Sequence, residues 1–193
     1  MKKISTHQLL DDLQSDTRKI ILAATELLRE DPGVLTRAPE QGKWSIAQVI
    51  EHLNSYGRYY LPAIESALNN NSYEPDAVFK PGWLGDYFTR SMLPKNGQVL
   101  NKMQSPKDHR PHPDIDSKPV IDTFLQQEQL LLDLLERAKH ADISRIRIPI
   151  SLSKLVKLKL GDTFRFLVAH HQRHFVQIDN ALKMVRRTSG VNV

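Results

Sequence analysis

Three histidines in this chain have the residue type and spacing of metal ligands. His170 and His174 lie four residues apart in a stretch with helical periodicity, and His52 lies in a second such stretch far upstream. A His-x-x-x-His pair places two imidazoles on one helix face, about one turn apart. Imidazole suits zinc, nickel, copper or iron, and three such ligands leave coordination positions open for water or substrate. The pattern predicts a reactive metal site.

Two familiar metal patterns do not fit this sequence. The segment from His170 to His174 has the spacing of the zinc-protease helix, but His171 occupies the position of the glutamate that serves there as general base. A carboxylate-bridged di-iron bundle requires Glu-x-x-His on two helices, and the sequence contains no such pair. The chain also has no cysteine, so a metal must be held by histidine, aspartate or glutamate.

The elements that must position these histidines are amphipathic helices. The first is predicted from the capping residue Ser5 to a stop at 31–33. The second is predicted from Ser45, which forms a capping box with Gln48, to Leu68, with Pro62 expected to kink or divide it. The third is predicted to start near Pro119. Their apolar positions, three or four residues apart, include Leu10, Leu13, Ile20 and Leu27 in the first, Val49, Ile50 and Leu53 in the second, and Ile121, Phe124, Leu131 and Leu135 in the third.

The fourth helix is predicted to start with Asp162 or Thr163 as its N-cap and to reach a basic end at residues 186 and 187. A long connection, 69–118, separates the second and third helices, and its aromatic residues predict an ordered cover with a short helix from about Trp83 to Leu93. Residues 145–151 are expected to form an extended edge segment. Four long helices with one long excursion predict an all-α, four-helix bundle, as a single domain over residues 1–193.

Composition narrows the function class. The 193 residues, 40% hydrophobic and 25% charged, suit one ordinary domain. The N-terminal residues lack the pattern of a signal peptide and no apolar run approaches the length of a membrane span, so we expect a cytoplasmic protein. The net charge of +5 would suit an anionic partner, but the basic residues are scattered, which argues against nucleic-acid binding. Pairing of two chains through an exposed helix face stays open.

Helical spacing places the three histidines inside the bundle. His170 and His174 share a face with Leu167 and Ile178, and His52 shares a face with apolar residues of the second helix. An interior trio of histidines must be hydrogen-bonded, charged at a cost, or bound to metal.

The remaining polar residues are assigned less specific roles. His171 is read as structural. His109 and His112 could complete the site but are expected to be solvated, and His7 and His140 are read as surface residues. Glu128, on the apolar register of the third helix, could be a base or orient a ligand, although a partly exposed flank position is favoured. Gln177 could orient a ligand, and Tyr56 and Tyr59 could donate to a metal-bound group, although core positions are favoured for both tyrosines.

Two motifs resemble the signatures of the DinB-like, or DinB/YfiT-type, four-helix bundle family. The first is Lys43-Trp44-Ser45-Ile46-Ala47-Gln48-Val49-Ile50-Glu51-His52-Leu53. The second is the lead-in Leu160-Gly161-Asp162-Thr163, followed by Phe166-Leu167, His170, His174 and Gln177-Ile178. The resemblance covers about residues 7–187. The sequence departs from the commonest pattern at Arg173, where a second histidine often precedes the last ligand.

The resemblance implies that the second and fourth helices supply His52, His170 and His174 to one divalent metal ion, with zinc favoured and nickel or iron as alternatives. Relatives that resemble thiol transferases or thiol-dependent isomerases suggest a metal-dependent enzyme acting on a small molecule. Either a low-molecular-weight thiol attacks an electrophile, or water in its place makes the protein a hydrolase. The alternative is a non-catalytic bundle that binds metal or a small ligand as a sensor or sequestering protein. The sequence identifies no general base, and fold does not settle chemistry.

Overall fold

The computed structural model describes residues 3–95, 97–99 and 104–188, and helices form most of it. In chain order the elements are β1 (Ile4–Ser5), α1 (Thr6–Leu27), α2 (Pro32–Thr36), α3 (Ile46–Asn69), β2 (Val78–Phe79), α4 (Trp83–Met92), α5 (Ser117–Arg137), β3 (Arg147–Ile150), β4 (Ser153–Lys159) and α6 (Leu160–Thr188), with 3₁₀ turns at Lys107–His109 and Ala138–His140. Helices α1, α3, α5 and α6 form a four-helix bundle. The predicted all-α class is therefore confirmed.

The helix that carries His52 begins where its cap predicts. The Ser45 hydroxyl accepts a hydrogen bond from the Gln48 amide at 3.2 Å, and the Gln48 side-chain oxygen accepts one from the Ser45 amide at 2.9 Å. This reciprocal pair satisfies two amide groups that the first helical turn would leave without partners. Pro62 does not divide α3, which is one helix from Ile46 to Asn69.

The four long helices are not arranged in chain order around the bundle. Helix α1 packs against α5 and α6, and α3 packs against the same two helices. Consequently α1 lies diagonally opposite α3, and α5 lies diagonally opposite α6. Side chains of α5 and α6 meet at the centre of the bundle, where the rings of Phe124 and Phe175 lie 5.7 Å apart. Because α3 and α6 are neighbours in this arrangement, His52 on α3 can meet His170 and His174 on α6.

Two short antiparallel pairs accompany the bundle. Strand β1 pairs with β2, with Ile4 opposite Phe79, and β3 pairs with β4, with Arg147 opposite Lys159. The extended segment predicted at residues 145–151 is confirmed as β3. Its partner β4 runs directly into α6, so the fourth helix starts at Leu160 rather than at the predicted 162 or 163.

The early start of α6 has a specific cause. The first amides of the helix, at Leu160 and Gly161, donate to the carbonyls of Ile146 and Ile143, so no side-chain cap is needed there. The carboxylate of Asp162 instead accepts a hydrogen bond from the Gly82 amide at 2.7 Å, just before α4. The residue predicted to cap its own helix therefore anchors another one.

The short helix predicted at Trp83–Leu93 is confirmed as α4. Arg165 of α6 holds it in place by donating to Asp162 at 3.0 Å and to Asp86 of α4 at 2.8 Å. This network holds α4 against α6. No helix among the described residues has the length and apolar character needed to span a membrane.

Candidate metal centre

The structure brings His52, His170 and His174 together in the bundle interior. The Nε2 atom of His170 lies 3.3 Å from Nε2 of His52 and 3.1 Å from Nε2 of His174. One potential ligand atom from each residue lies within 4.8 Å of the other two. All three residues are buried, with exposed fractions of 3%, 3% and 8%.

Hydrogen bonds to the far side of two rings determine which nitrogens face the centre with a lone pair. Nδ1 of His52 lies 2.7 Å from the carbonyl oxygen of His109, and Nδ1 of His174 lies 2.9 Å from the side-chain oxygen of Gln177. Both partners only accept, so Nδ1 carries the proton in each ring and Nε2 is left as an acceptor.

This donor set fits a cation. A proton on Nε2 of His170 can be donated to Nε2 of His52 or to Nε2 of His174, but not to both. A cation at the centre would accept a lone pair from all three Nε2 atoms. Nδ1 of His170 is buried and has no hydrogen-bond partner among the described residues. Three imidazole nitrogens are a common protein ligand set for zinc.

Burial keeps the cluster uncharged. Desolvation lowers the pKa of His52 to about 4 and that of His174 to about 3, and it lowers the pKa of His170 well below its ordinary value. The proximity of the rings adds to the effect in His170 and His174, because a charge on one opposes a charge on the next. At neutral pH all three rings are neutral, which is the form that binds metal.

Aromatic neighbours limit the movement of the rings. Phe166, one turn before His170 on α6, stacks on that imidazole with centroids 5.7 Å apart and planes 9° apart. Trp44 and Tyr56 each lie 5.1 Å from the ring of His52. The aromatic contacts hold the imidazoles in the orientation that the hydrogen bonds select.

A cavity of about 850 Å³ opens onto the cluster. Helices α3, α4 and α6 contribute to its wall, together with residues in the segment 39–44 before α3. The turn of the β3–β4 hairpin at residues 150–152, Leu158 of β4, and residues 99, 104–106 and 110 of the connection complete the described wall. This volume lies within the range of small-molecule sites. The histidine cluster is thus accessible to a ligand although it is almost excluded from bulk water.

A family model described as the DinB superfamily matches residues 13–178 of the chain. The chain belongs to the DinB superfamily. A solved structure, described as YfiT from Bacillus subtilis, a probable metal-dependent hydrolase with an unusual four-helix bundle topology, is similar to this DinB chain with a TM-score of 0.60. The two chains share 14% identity, and the match covers 100% of this chain and 93% of the other, so it shows a shared fold. A comparison with curated proteins finds no match.

In this DinB chain, one contact to the histidine cluster comes from His109, a residue that we expected to be exposed to solvent. His109 is buried, because the 3₁₀ turn at Lys107–His109 folds against α3. Its ring stacks on Tyr56 with centroids 3.9 Å apart, its Nδ1 lies 2.9 Å from the Ser55 hydroxyl, and its carbonyl orients His52. The prediction of a solvated His109 was wrong. His112, His7 and His140 are exposed as predicted.

Glu128 also differs from its prediction. We expected a partly exposed flank position, but the residue is 1% exposed, and its Oε1 atom lies 3.0 Å from Nδ1 of His171. His171 in turn packs beside Phe124 in the core, with ring centroids 5.5 Å apart. Neither Glu128 nor His171 lines the cavity. The pair occupies the space between the diagonal helices α5 and α6.

Some of the residues that surround the cluster were not predicted from the sequence. Phe166 was detectable from its four-residue spacing to His170, and Arg173 lies three residues after His170, close enough on the helix to line the same cavity. Phe88 and Met92 carried no comparable signal, because α4 of this DinB chain reaches the cavity through a long connection. Gln177 contacts His174 as predicted.

Proposed function

We propose that this chain is a metal-dependent enzyme in which His52, His170 and His174 hold one divalent ion beside a small-molecule cavity. The observation that carries the proposal is the convergence of three buried Nε2 atoms where the cavity reaches the bundle interior. The description of the YfiT structure as a probable metal-dependent hydrolase supports it. Imidazole ligands suit zinc, with nickel and iron as the alternatives.

A divalent ion bound by three neutral imidazoles supplies Lewis acidity, which lowers the pKa of a water or thiol and polarises a substrate carbonyl. The chain's own residues provide the geometry. His109 and Gln177 accept the Nδ1 protons of His52 and His174, and they thereby keep each Nε2 directed at the centre.

Tyr56 is the candidate hydrogen-bond donor to the substrate. Its side chain lines the cavity, and burial raises the pKa of its phenol, so the hydroxyl stays protonated at neutral pH. A protonated phenol can donate to an oxygen that becomes negative during nucleophilic attack. Tyr59 is not available for this role, because its hydroxyl donates to the Ile150 carbonyl at 3.0 Å.

Thiol transfer to an electrophile is the reaction that the wall of the cavity supports best. Among its described residues the one carboxylate is Glu40, which is exposed, so no buried acid is positioned to take a proton from water. A thiol ionises far more readily than water and depends less on such a base. The volume of about 850 Å³ also has room for a small thiol beside an electrophile. Hydrolysis, favoured by the YfiT description, is the second candidate.

Metal analysis tests the ligand set. Protein purified without a metal-affinity tag and loaded with zinc is expected to hold about one ion per chain, and the folded variants His52→Ala and His174→Ala are expected to lose it. His140→Ala removes an exposed histidine and serves as the matched control. Equal metal content in all four proteins would contradict the proposed site.

Turnover is tested on the same proteins. With 1-chloro-2,4-dinitrobenzene as electrophile and 2-mercaptoethanol as thiol, we expect product formation that requires both metal and His174. Ester substrates without thiol measure the hydrolytic alternative. Stoichiometric metal binding without turnover of either substrate class would instead support a non-catalytic sensor or sequestering protein.

A further inference from the structure

One turn of the connection between α4 and α5 touches both the proposed metal centre and the cavity. The 3₁₀ turn at Lys107–His109 packs against α3, and His109, at its end, is only 6% exposed. The neighbouring residues Ser105, Pro106 and Arg110 lie in the wall of the cavity. A shift of this turn would therefore alter the cavity wall as well.

The main chain of His109 is bound to a proposed metal ligand. Its carbonyl oxygen accepts the Nδ1 proton of His52 at 2.7 Å, and the Ser105 hydroxyl lies 3.2 Å from the same oxygen. In the other neutral tautomer of His52, with the proton on Nε2, the bond to the carbonyl does not form. A metal ion on Nε2 excludes that tautomer, and its positive charge makes the Nδ1 proton a stronger donor.

The side chain of His109 anchors the turn to α3. The Ser55 hydroxyl donates to the His52 carbonyl at 2.6 Å, so the 2.9 Å contact between this hydroxyl and Nδ1 of His109 requires Nδ1 to donate. The ring of His109 also stacks on Tyr56, with centroids 3.9 Å apart. Because Ser55 and Tyr56 lie within about one helical turn of His52, the ring and the carbonyl of His109 bind the same part of α3.

We propose that His109 is a positioning residue that couples metal binding to the order of the cavity wall. Its ring fixes the 3₁₀ turn on α3, so that its carbonyl holds His52, and a metal ion on His52 in turn holds residues 105–110 in place. Such coupling is reciprocal, so a change that loosens the turn must also weaken metal binding. The inference rests on the proposed function, because it requires a metal ion on His52, and it adds a link between that ion and the cavity.

Hydrogen exchange tests the effect of the metal on the turn. The amides of His109 and Arg110 donate to the carbonyls of Pro106 and Lys107. In the wild type, exchange of these two amides is expected to slow about tenfold when zinc is added to the metal-free protein. The amide of Ala141 is the control, since it donates within another 3₁₀ turn that does not line the cavity, and its exchange should change less.

Zinc affinity, measured by calorimetric titration, tests the reverse effect. His109→Ala is expected to weaken zinc binding about tenfold, and His109→Asn, which keeps a donor near the position of Nδ1, should restore part of the loss. Ser55→Ala should weaken binding less than His109→Ala, and the double variant no more than His109→Ala, because both changes remove one anchor. His112→Ala removes an exposed histidine from the same connection and should bind zinc like the wild type.

The outcomes distinguish this inference from the metal proposal. Wild-type zinc affinity in His109→Ala, or exchange at His109 and Arg110 that does not respond to zinc, would overturn the coupling while the metal site stands. A merely structural role would give such a result, with only the stability of the metal-free protein lowered. Additive losses in the double variant would also overturn it.

Failure of the wild type to bind zinc would overturn both proposals. Circular dichroism checks the fold of each variant. If His109→Ala is unfolded, Ser55→Ala carries the test alone, and wild-type zinc affinity in Ser55→Ala would then overturn the coupling.

Discussion

At the scale of single residues, the amide of Gln177 determines how His174 presents its nitrogen. The side-chain oxygen accepts the Nδ1 proton at 2.9 Å, which fixes both the tautomer and the direction of the ring. The sequence placed Gln177 one turn past the histidine, where such a contact is possible. Its importance therefore lies in orientation, since the amide itself is not directed at the centre of the cluster.

Replacing Gln177 with leucine is expected to weaken zinc binding by roughly ten- to a hundredfold, because the imidazole loses its acceptor and its fixed orientation. Competition with a chromogenic chelator measures the change. Gln172→Leu is the control, since Gln172 lies on the same helix and donates to Asp16 of α1 instead. Equal zinc affinity in Gln177→Leu and Gln172→Leu would show that the contact does not orient the ligand.

The Glu128 and His171 pair yields a second prediction. Each residue is buried, so removing one leaves the other polar group without its partner in the core. Glu128→Leu is expected to lower the free energy of unfolding by about 3 kcal/mol, and the double variant Glu128→Leu/His171→Phe by clearly less than the sum of the single changes. Urea unfolding of the metal-free wild type, the two single variants and the double variant measures the four free energies that this comparison requires. Strict additivity would mean that the two side chains do not interact.

Single-residue prediction from sequence succeeded where helical spacing was sufficient. The positions of His52, His170 and His174 follow from periodicity, because each lies on the apolar face of a long helix. Burial of His109 could not be predicted in this way. It depends on a 3₁₀ turn in a long connection folding against α3, a contact between residues 54 positions apart.

At the scale of elements, α4 is held against α6 by an unusually close approach. A Cβ atom at Gly85 would collide with the side chain of Asp162, whose carboxylate also accepts from the Gly82 amide. Only a residue without a side chain permits this packing. Because Phe88 and Met92 of the same helix line the cavity, the position of α4 also sets the shape of the site.

Gly85→Ala is therefore expected to shift or loosen α4, with a loss of stability of about 1–3 kcal/mol from overpacking. Hydrogen exchange in residues 83–92 should be faster in Gly85→Ala than in the wild type, whereas exchange in α3 should change less. Trp83→Ala, at a residue that is 75% exposed on the same helix, is the control and should leave exchange nearly unchanged. Wild-type exchange in Gly85→Ala would show that the contact with Asp162 does not restrain the helix.

Local sequence signals identified the long helices but not every boundary. The Ser45 cap was predicted correctly, because its partner Gln48 lies three residues away. The N-cap role predicted for Asp162 was wrong, because its carboxylate accepts a hydrogen bond from the Gly82 amide, 80 positions earlier in the chain. Strands β1 and β2 have two residues each, too few for an alternating pattern to appear.

At the scale of the whole molecule, the buried histidines make the stability of the metal-free protein dependent on pH. An unfolded histidine takes up a proton near pH 6.5, whereas in the folded protein the pKa of His52 is about 4 and that of His174 about 3. Between these values the unfolded chain binds more protons, so acidification favours unfolding. The titration of these histidines therefore leaves the stability of the metal-free protein unaffected above pH 6.5, and the stability decreases as the pH falls from 6.5 towards 3.

Urea denaturation of metal-free protein is expected to show stability falling between pH 6.5 and pH 4, with each buried histidine adding up to about 1.4 kcal/mol per pH unit. His174→Leu should reduce the slope, and His140→Ala should keep it. While the protein stays folded, zinc should be retained down to about pH 4, because the ligand nitrogens take up protons only near and below that pH. A flat profile from pH 6.5 to pH 4 would contradict the neutral state of the cluster.

The order of helices around the bundle was beyond what periodicity could reveal. Amphipathic patterns show that four helices pack together, but each helix buries the same face whether α1 lies beside α3 or diagonally opposite it. Contacts such as that between Phe124 and Phe175 distinguish the two arrangements, and they form only in three dimensions.

The pairing of β1 with β2 bears on how quickly the chain reaches its native state. Ile4 meets Phe79, and the buried ring of Phe79 lies so close to Gly161 that a Cβ there would come within 2.6 Å of it. Three segments separated by about 75 and 80 positions must meet at this one point. Such non-local contacts raise the contact order and slow folding relative to bundles whose helices pack only with sequence neighbours. The junction at Phe79 is thus expected to form late, after the long helices have associated.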